Sequence, residues 1–288
     1  MFEAIVERFV AASGVTVIVR GMLERAFNAE QIDALFEEYS CLQYTRELLF
    51  SDLVMIMMLV ACGIRKTPSA AYKAMQEKLG VSRPAFYNKL QGIELPVMRA
   101  LLQYSSEQMG RVVHQLGGSI SPLLDGYRVK IIDGNVLGAS EHRLACLQDE
   151  AAAPLPGKSM VVLDPQLRLA TDIIPCEDAY TQERALLSEI VPTVNPDDVW
   201  IADRNMCTRS FLMGIAQRQG YFVIREHENL PWQGLGELEF VKQTPTGKVF
   251  EQPIQMEFEG KTLTLRRVVV QLDTPTLPLL TCYFSETK

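Results

Sequence analysis

Histidine and tryptophan are scarce in this sequence, which has three histidines and two tryptophans among 288 residues. The histidines, His114, His142 and His227, are dispersed, so they do not indicate a histidine-rich metal site, and a neutral, hydrogen-bonded role is the default interpretation of each. The chain also lacks an excess of positive charge, because 28 basic residues stand against 35 acidic ones and give a net charge of −7. That balance excludes a protein whose whole surface is basic and binds nucleic acid, but it does not exclude local basic patches.

Cysteine pairs, a secretory signal and a membrane-length apolar run are absent as well. The six cysteines are scattered without any Cys-x-x-Cys pair, which predicts reduced thiols in a cytoplasmic protein. The most apolar run, residues 53–64, is 12 residues long. Because a bilayer-spanning helix needs about 20 residues, this run predicts a buried core helix and no membrane partner.

The length and composition predict a globular protein with two domains. Hydrophobic residues make up 48% of the chain and charged residues 22%, which is near the average for globular proteins. At about 100 to 200 residues per domain, 288 residues give two domains or one large domain with an appendage.

The hydrophobic spacing changes in character near residue 120. Residues 1–120 repeat apolar positions every three to four residues, which predicts an all-helical N-terminal domain. Residues 121–288 contain short strand-like runs, with helical spacing after the third and fourth runs, in residues 178–191 and 208–219. The strand-like runs are residues 129–132, 160–163, 170–174, 199–202 and 221–224. This order predicts an α/β domain whose mixed sheet joins an antiparallel meander to parallel crossovers.

A β-rich insertion is predicted over about residues 232–276. Residues 252–258 and 261–271 alternate apolar and polar side chains around Glu259 and Gly260, a pair typical of a two-residue hairpin turn. A final strand-like run, residues 279–284, ends almost at the C-terminus, where an α/β domain normally adds a covering helix. We therefore expect the α/β domain to be incomplete at its C-terminal end.

Two aspartates are each predicted to follow a buried strand. Asp133 ends an apolar strand and precedes Gly134, and Asp203 ends the strand-like run 199–202 just before a helix. If these strands are neighbours, the two carboxylates lie in one small volume and repel each other unless a cation lies between them. Oxygen ligands of this type suit Mg²⁺, or Mn²⁺ as a second possibility.

The residues around Asp133 also bear on two other interpretations. Aspartate followed by glycine is common in turns, and on its own the pair at 133–134 fits a turn about equally well. A haloacid-dehalogenase-type phosphatase requires a second aspartate two positions later, where this sequence has Asn135.

The residues around both aspartates resemble those of a known enzyme family. Residues 201–205, followed by residues 207–212 and 221–227, look like the second-aspartate region of DDE transposases of the insertion-element-four family. Residues 132–135 resemble the first-aspartate region, and the helical segment resembles the family's N-terminal domain. The resemblance implies a ribonuclease-H-like catalytic domain, cut-and-paste phosphoryl transfer on DNA, and Asp133 and Asp203 as catalytic, metal-binding carboxylates.

The sequence departs from this family at the third acidic residue. The family carries a glutamate in a Tyr-x2-Arg-x3-Glu-x6-Lys motif after the β-rich insertion, and no window of this sequence matches that pattern. Glu226, Glu228 and Glu286 are the nearby glutamates, and none is assigned the role. The missing motif predicts that this chain is truncated. Because the carboxylates of such a site fix two metal ions about 3.5 to 4 Å apart, we expect a chain without the third carboxylate to be weakly active or inactive.

A basic stretch predicts a DNA-binding segment in the helical domain. Between Arg65 and Arg111 there are eight basic and three acidic residues, a net charge of +5. Residues 71–91 fit a helix, a tight turn and a second helix, with Ser82 as the N-cap. In a helix-turn-helix, Arg83, Asn88 and Lys89 point toward the groove, whereas in a plain helical bundle the same charges are only solvated.

Further basic side chains flank the aspartates. Arg225 and His227 are candidate DNA-binding residues that contact phosphate, or else they pair with Glu183 or Glu226. Arg204 has the same two interpretations, and for Arg204 the structural pairing is favoured.

Three functions remain open from the sequence. The first is a transposase that binds double-stranded DNA at the element's terminal repeats and at the target, with a homodimer on paired ends as a possibility. The second is a DNA-binding regulator or inhibitor of the full-length transposase with no catalysis of its own. The third is a metal-dependent phosphatase or nuclease with small substrates.

Overall fold

A computed structural model describes residues 21–22, 24, 27–43, 47–142, 155–176, 181–272 and 279–285 of the chain. The helical spacing predicted for residues 1–20 therefore lies outside the described residues, as does Glu286. Contacts between Cα atoms divide the chain into two compact units, Met1–Gly118 and Ser119–Lys288.

The first unit is built from α-helices. Its described helices are α1 (Ala29–Tyr39), α2 (Phe50–Ala61), α3 (Pro68–Leu79), α4 (Arg83–Gln91) and α5 (Leu95–Gln115). Side-chain caps fix several helix starts, for example at Asn28, whose side chain accepts hydrogen bonds from the backbone N–H groups of Glu30 and Gln31. The apolar run predicted as a core helix, residues 53–64, lies in α2 up to Ala61, and residues 62–64 follow the end of the helix. Four residues of α2 are buried.

The predicted helix, turn and second helix at residues 71–91 are confirmed as α3 and α4. Gly80 ends α3 in the left-handed conformation, with a φ of 65°, and the Ser82 side chain caps α4 by accepting from the Ala85 N–H. A buried hydrogen bond stabilises the turn, because the Tyr72 hydroxyl donates to the Val81 carbonyl at 2.6 Å. Tyr72 also packs on Phe86, with ring centroids 5.2 Å apart, so the two helices share one core.

The second unit is a mixed α/β structure, as the sequence predicted. Its strands are β1 (Arg128–His142), β2 (Leu155–Asp164), β3 (Leu169–Cys176), β4 (Asp198–Ala202), β5 (Tyr221–Arg225), β6 (Gln233–Gly234), β7 (Glu239–Thr244), β8 (Gly247–Phe258), β9 (Lys261–Leu272) and β10 (Leu279–Ser285). Its α-helices in the described ranges are α6 (Glu183–Ile190) and α7 (Arg209–Gln217).

All ten strands belong to one sheet. The order is β3-β2-β1-β4-β5-β10-β9-β8-β6, and β7 pairs with β8 beside this path. The strands β1, β4 and β5 are mutually parallel, whereas β2 and β3 form an antiparallel meander on the other side of β1. The β-rich segment that contains β6 to β9 is joined to this sheet through β10, which pairs antiparallel with both β5 and β9.

The core of this unit is formed by side chains of the sheet and of the helices α6 and α7. Ile132, Trp200 and Phe222 come from the three parallel strands and are at most 2% exposed. They pack with apolar residues of the two helices, namely Leu186, Leu187, Ile190, Phe211, Leu212 and Ile215. Burial of this helix-facing side fixes the register of the strands, because a slip of one residue would turn these side chains to the opposite face.

Candidate functional site

The parallel pairing of β1 and β4 brings the two predicted aspartates to adjacent positions. Partners in this pairing run from Arg128 with Asp198 to Ile132 with Ala202. Asp133 and Asp203 are the next residues along the two strands, so they lie side by side where β4 ends. Ligands of open α/β sheets bind at this carboxyl edge of the strands. The prediction that Asp133 ends its strand is wrong, and so is the turn interpretation of residues 133–134, because β1 continues to His142 and both residues pair with β2.

Local hydrogen bonds orient each carboxylate. Asp203 is the N-cap of a short 3₁₀ turn, Arg204–Met206, and its Oδ1 accepts from the Asn205 N–H at 2.8 Å. The Oδ1 of Asp133 accepts from the Gly134 N–H at 2.9 Å. Both side chains are exposed, so solvent and ligands can reach them.

The start of α6 brings a further carboxylate, Glu183, close to β1, but among the described residues it does not join Asp133 and Asp203 in a group that could hold an ion. The Glu183 carboxyl group lies against Gly134, where a Cβ atom would be only 2.5 Å from the Glu183 Cδ. The next residue, Arg184, donates from Nε to the Asn205 carbonyl at 3.0 Å and ties the helix to the turn after β4. The sequence feature that could have drawn attention to Glu183 is its place in the first turn of the helix that follows the β1–β3 meander.

Metal-ligand geometry is incomplete in the described part of the chain. No three side chains of His, Cys, Asp or Glu among the described residues come together as a group that could hold an ion. Asp133 and Asp203 supply oxygen ligands at one edge, which is the donor chemistry that Mg²⁺ and Mn²⁺ prefer. The residues therefore fit a divalent ion by donor type, with water or substrate needed to complete its coordination.

A polar pocket of about 420 Å³ adjoins this edge and contains the other predicted site residues of the sheet unit. Arg225 and His227 lie in it, at and just after the end of β5. The remaining lining residues are Arg204, Asn205, Glu226, Glu228, Asn229 and Thr281. Because Arg204 and Asn205 directly follow Asp203, the pocket continues the carboxylate edge along the ends of β4 and β5.

The Glu226 side chain is held by its own partners. Its carboxylate accepts from Arg267 Nη2 at 3.1 Å, from Arg267 Nε at 3.2 Å and from the Tyr283 hydroxyl at 2.8 Å. The Arg267 guanidinium also lies over the Trp232 ring, 5.1 Å from its centroid. Burial and the hydrogen bond to Glu226 raise the pKa of Tyr283. These contacts make Glu226 a structural link between β5, β9 and β10.

The predicted DNA-binding residues of the helical unit all lie on α4. Arg83 and Asn88 are exposed, and the Arg83 guanidinium lies 5.6 Å from the Tyr87 ring centroid. Lys89 is half-buried, with Nζ 3.9 Å from the centroid of the Phe36 ring, and burial lowers the pKa of its ammonium group. The cation–π contact of Lys89 competes with any contact to phosphate, whereas Arg83 and Asn88 are accessible.

Comparison of the sequence with models of known protein families and with curated proteins finds no match. In the described ranges, every helix is too short or too polar to cross a membrane.

Proposed function

We propose that this protein is a DDE transposase of the insertion-element-four family, with a ribonuclease-H-like catalytic domain that acts on DNA. The observation that carries the proposal is the adjacency of Asp133, inside β1, and Asp203, directly after the end of β4, on two paired parallel strands. The strand order β3-β2-β1-β4-β5, with only β2 antiparallel to its two neighbours, supports the fold assignment.

The proposed reaction is metal-dependent phosphoryl transfer. Asp133 and Asp203 would hold Mg²⁺ or Mn²⁺, which supplies charge stabilisation for a displacement at phosphorus when bound. The hydrogen bonds from the Gly134 and Asn205 N–H groups hold one oxygen of each carboxylate in a fixed direction. Two carboxylates give fewer ligands than two ions need, so we expect slow strand cleavage by this chain.

Strand cleavage can be tested on a plasmid that carries the gene with its natural flanking DNA. We expect slow nicking that needs Mg²⁺ or Mn²⁺, is abolished by a chelator and is lost in Asp133→Asn and Asp203→Asn. Asp125→Asn is the matched control, because Asp125 is an exposed aspartate in the loop before β1. Nicking that persists in both site variants would refute the assignment of the two carboxylates.

A DNA-binding regulator without catalysis is the second candidate. It is favoured by the confirmed α3–α4 pair, which lies in the stretch with eight basic and three acidic residues. On this alternative the wild-type chain binds the flanking DNA in a gel-shift assay but does not nick it, and Asp133→Asn leaves binding intact. Turnover of small phosphate esters without any DNA binding would instead support a phosphatase or nuclease with small substrates.

A further inference from the structure

The pocket at the ends of β4 and β5 contains two arginines whose charge is not used inside the protein. Arg204 and Arg225 are exposed at its wall, and within the described residues neither guanidinium makes a hydrogen bond or an ion pair. Arg128 gives the contrast, since its Nε donates to Asp198 at 2.9 Å, at the opposite end of β4. Two uncompensated guanidinium groups in one pocket favour an anionic ligand.

The acidic residues of the pocket do not cancel this charge. The carboxylate of Glu226 is already neutralised by Arg267 and bonded by Tyr283. Glu228 is exposed and is the other acidic residue in the lining. With Glu226 and Arg267 counted as a neutral pair, the two arginines outweigh the single charge of Glu228 among the lining residues. The exposed Asp133 and Asp203 lie at the adjoining edge, where the proposed divalent ion would offset their charge.

The neutral side chains of the pocket add hydrogen-bond donors. The Nδ1 of His227 accepts from the Asn229 N–H at 3.3 Å, so the proton of a neutral imidazole is on Nε2, which can donate to a ligand. Asn205 and Asn229 contribute side-chain amide groups. Guanidinium, imidazole and amide donors together match the several acceptor oxygens of a phosphate group.

We propose that this pocket binds a phosphate group of a DNA strand, next to the position at which a divalent ion on Asp133 and Asp203 would bind the reacting phosphate. The inference rests on the proposed function, because the DNA strand is what would connect the two positions. Arg204 and Asn205 follow Asp203 directly in sequence, so a strand that passes the carboxylates meets the pocket next. Arg204, Arg225 and His227 then act as sequence-independent positioning residues for that strand.

The first experiment measures DNA binding without chemistry. Fluorescence anisotropy with labelled flanking DNA is recorded in the presence of a chelator at several salt concentrations, for wild type, Arg204→Gln and Arg225→Gln. We expect each variant to bind about tenfold more weakly, since charge-assisted hydrogen bonds are the strong ones. We also expect the slope of log affinity against log salt to fall by about one for each lost phosphate contact.

The control is Arg218→Gln. Arg218 is an exposed arginine near the start of β5, at the opposite end of that strand from Arg225. The Arg218→Gln variant should therefore bind DNA as the wild type does. Circular dichroism of each variant shows whether it is folded. If the folded Arg204→Gln and Arg225→Gln variants bind DNA with the affinity and salt slope of Arg218→Gln, the proposal is wrong while DNA binding itself stands.

A second measurement separates the pocket from the proposed function. Binding of inorganic phosphate is followed by phosphorus NMR for wild type and for the Arg204→Gln Arg225→Gln double variant. Phosphate binding that is lost in the double variant, in a protein that does not bind DNA, would support the anion pocket and refute its DNA ligand together with the proposed function. No phosphate binding and no effect of the variants on DNA would overturn the pocket assignment.

Discussion

Gly247 begins β8 at a point where only a hydrogen fits as the side chain. Its φ is 153°, and an added Cβ atom would lie 2.8 Å from the Gln271 carbonyl carbon and 2.9 Å from the Leu272 Cα. These atoms are backbone of the paired strand β9, so they cannot move aside without breaking the pairing. The sequence alone does not reveal this restriction, since glycine at 247 also fits an ordinary turn residue.

We therefore predict that Gly247→Ala lowers the free energy of unfolding by about 2 kcal/mol or more. Gly260→Ala is the comparison, because Gly260 has a φ of 71° but open space around its Cα. That variant should lose only about 1 kcal/mol, the strain of a left-handed alanine. Urea denaturation of the two variants gives both values, and equal losses would contradict the proposed backbone collision.

Cys207 is predicted to be unreactive in the folded protein. It is 2% exposed, and burial raises the pKa of its thiol to about 11, so little thiolate forms near neutral pH. Iodoacetamide at pH 8, followed by mass spectrometry of the peptides, should label the exposed Cys41 and Cys62 well before Cys207. Labelling of Cys207 at the same rate as Cys62 in the native protein would show that the turn after β4 opens readily.

Among the elements, the start of α5 is bound to the loop after α1 by one side chain. The Glu94 carboxylate accepts from the backbone N–H groups of Leu42 at 2.9 Å, Cys41 at 3.0 Å and Gln43 at 3.2 Å. These bonds, the one from Leu42 foremost, lower the pKa of Glu94. The segment after α1 thus depends on a contact 52 residues away in sequence.

We predict that Glu94→Ala destabilises the helical unit by about 1 kcal/mol near neutral pH, through the lost hydrogen bonds. A carboxyl group whose pKa is lowered by folding contributes stability above its ordinary value of 4.5, and that contribution is lost as the pH falls. The difference between wild type and Glu94→Ala should therefore shrink at acidic pH in thermal denaturation. Glu77→Ala, which removes an exposed acid on α3, is the control and should change little.

Many elements could be predicted from local sequence. The helix-turn-helix segment became α3 and α4, and the hairpin turn at Glu259 and Gly260 is confirmed, with φ of 50° and 71° in the turn that joins β8 to β9. The second crossover helix was predicted for residues 208–219 and observed as Arg209–Gln217. The first was predicted for residues 178–191 and observed as Glu183–Ile190, and residues 177–180 lie outside the described ranges.

Strand neighbours and tertiary partners could not be predicted in the same way. The sequence placed a strand at residues 279–284, but nothing local indicates that it pairs with β5 on one side and β9 on the other. The position of Glu183 against Gly134 and the bonds of Glu226 to Arg267 also arise from residues about 40 to 50 positions apart. Hydrophobic periodicity reports which face of an element is buried, and it contains no information about which element covers that face.

At the scale of the whole molecule, the sheet unit is predicted to be sensitive to alkali. Burial raises the pKa of Cys207 from 9.0 to about 11, and it raises the pKa values of Cys282 and Tyr283 as well. A group whose pKa is raised by folding contributes stability below its unfolded value and loses it as the pH rises. Stability should therefore fall from about pH 9 upward.

Urea denaturation between pH 7 and pH 11, followed by tryptophan fluorescence, tests this expectation, because both tryptophans, Trp200 and Trp232, lie in the sheet unit. Cys207→Ala should remove part of the pH dependence while lowering stability at pH 7, since it also leaves a small cavity. A stability that stays constant from pH 9 to pH 11 would contradict the burial of these groups.

The position of β10 between β5 and β9 has a consequence for synthesis on the ribosome. The strands β1 to β5 and the hairpin of β8 and β9 emerge first, and each set can pair internally. They remain two separate sheets with exposed edges until residues 279–285 have left the exit tunnel. During that interval the nascent chain exposes the two strand edges that β10 later covers, β5 and β9, and we expect it to depend on chaperones that shield such edges from other chains.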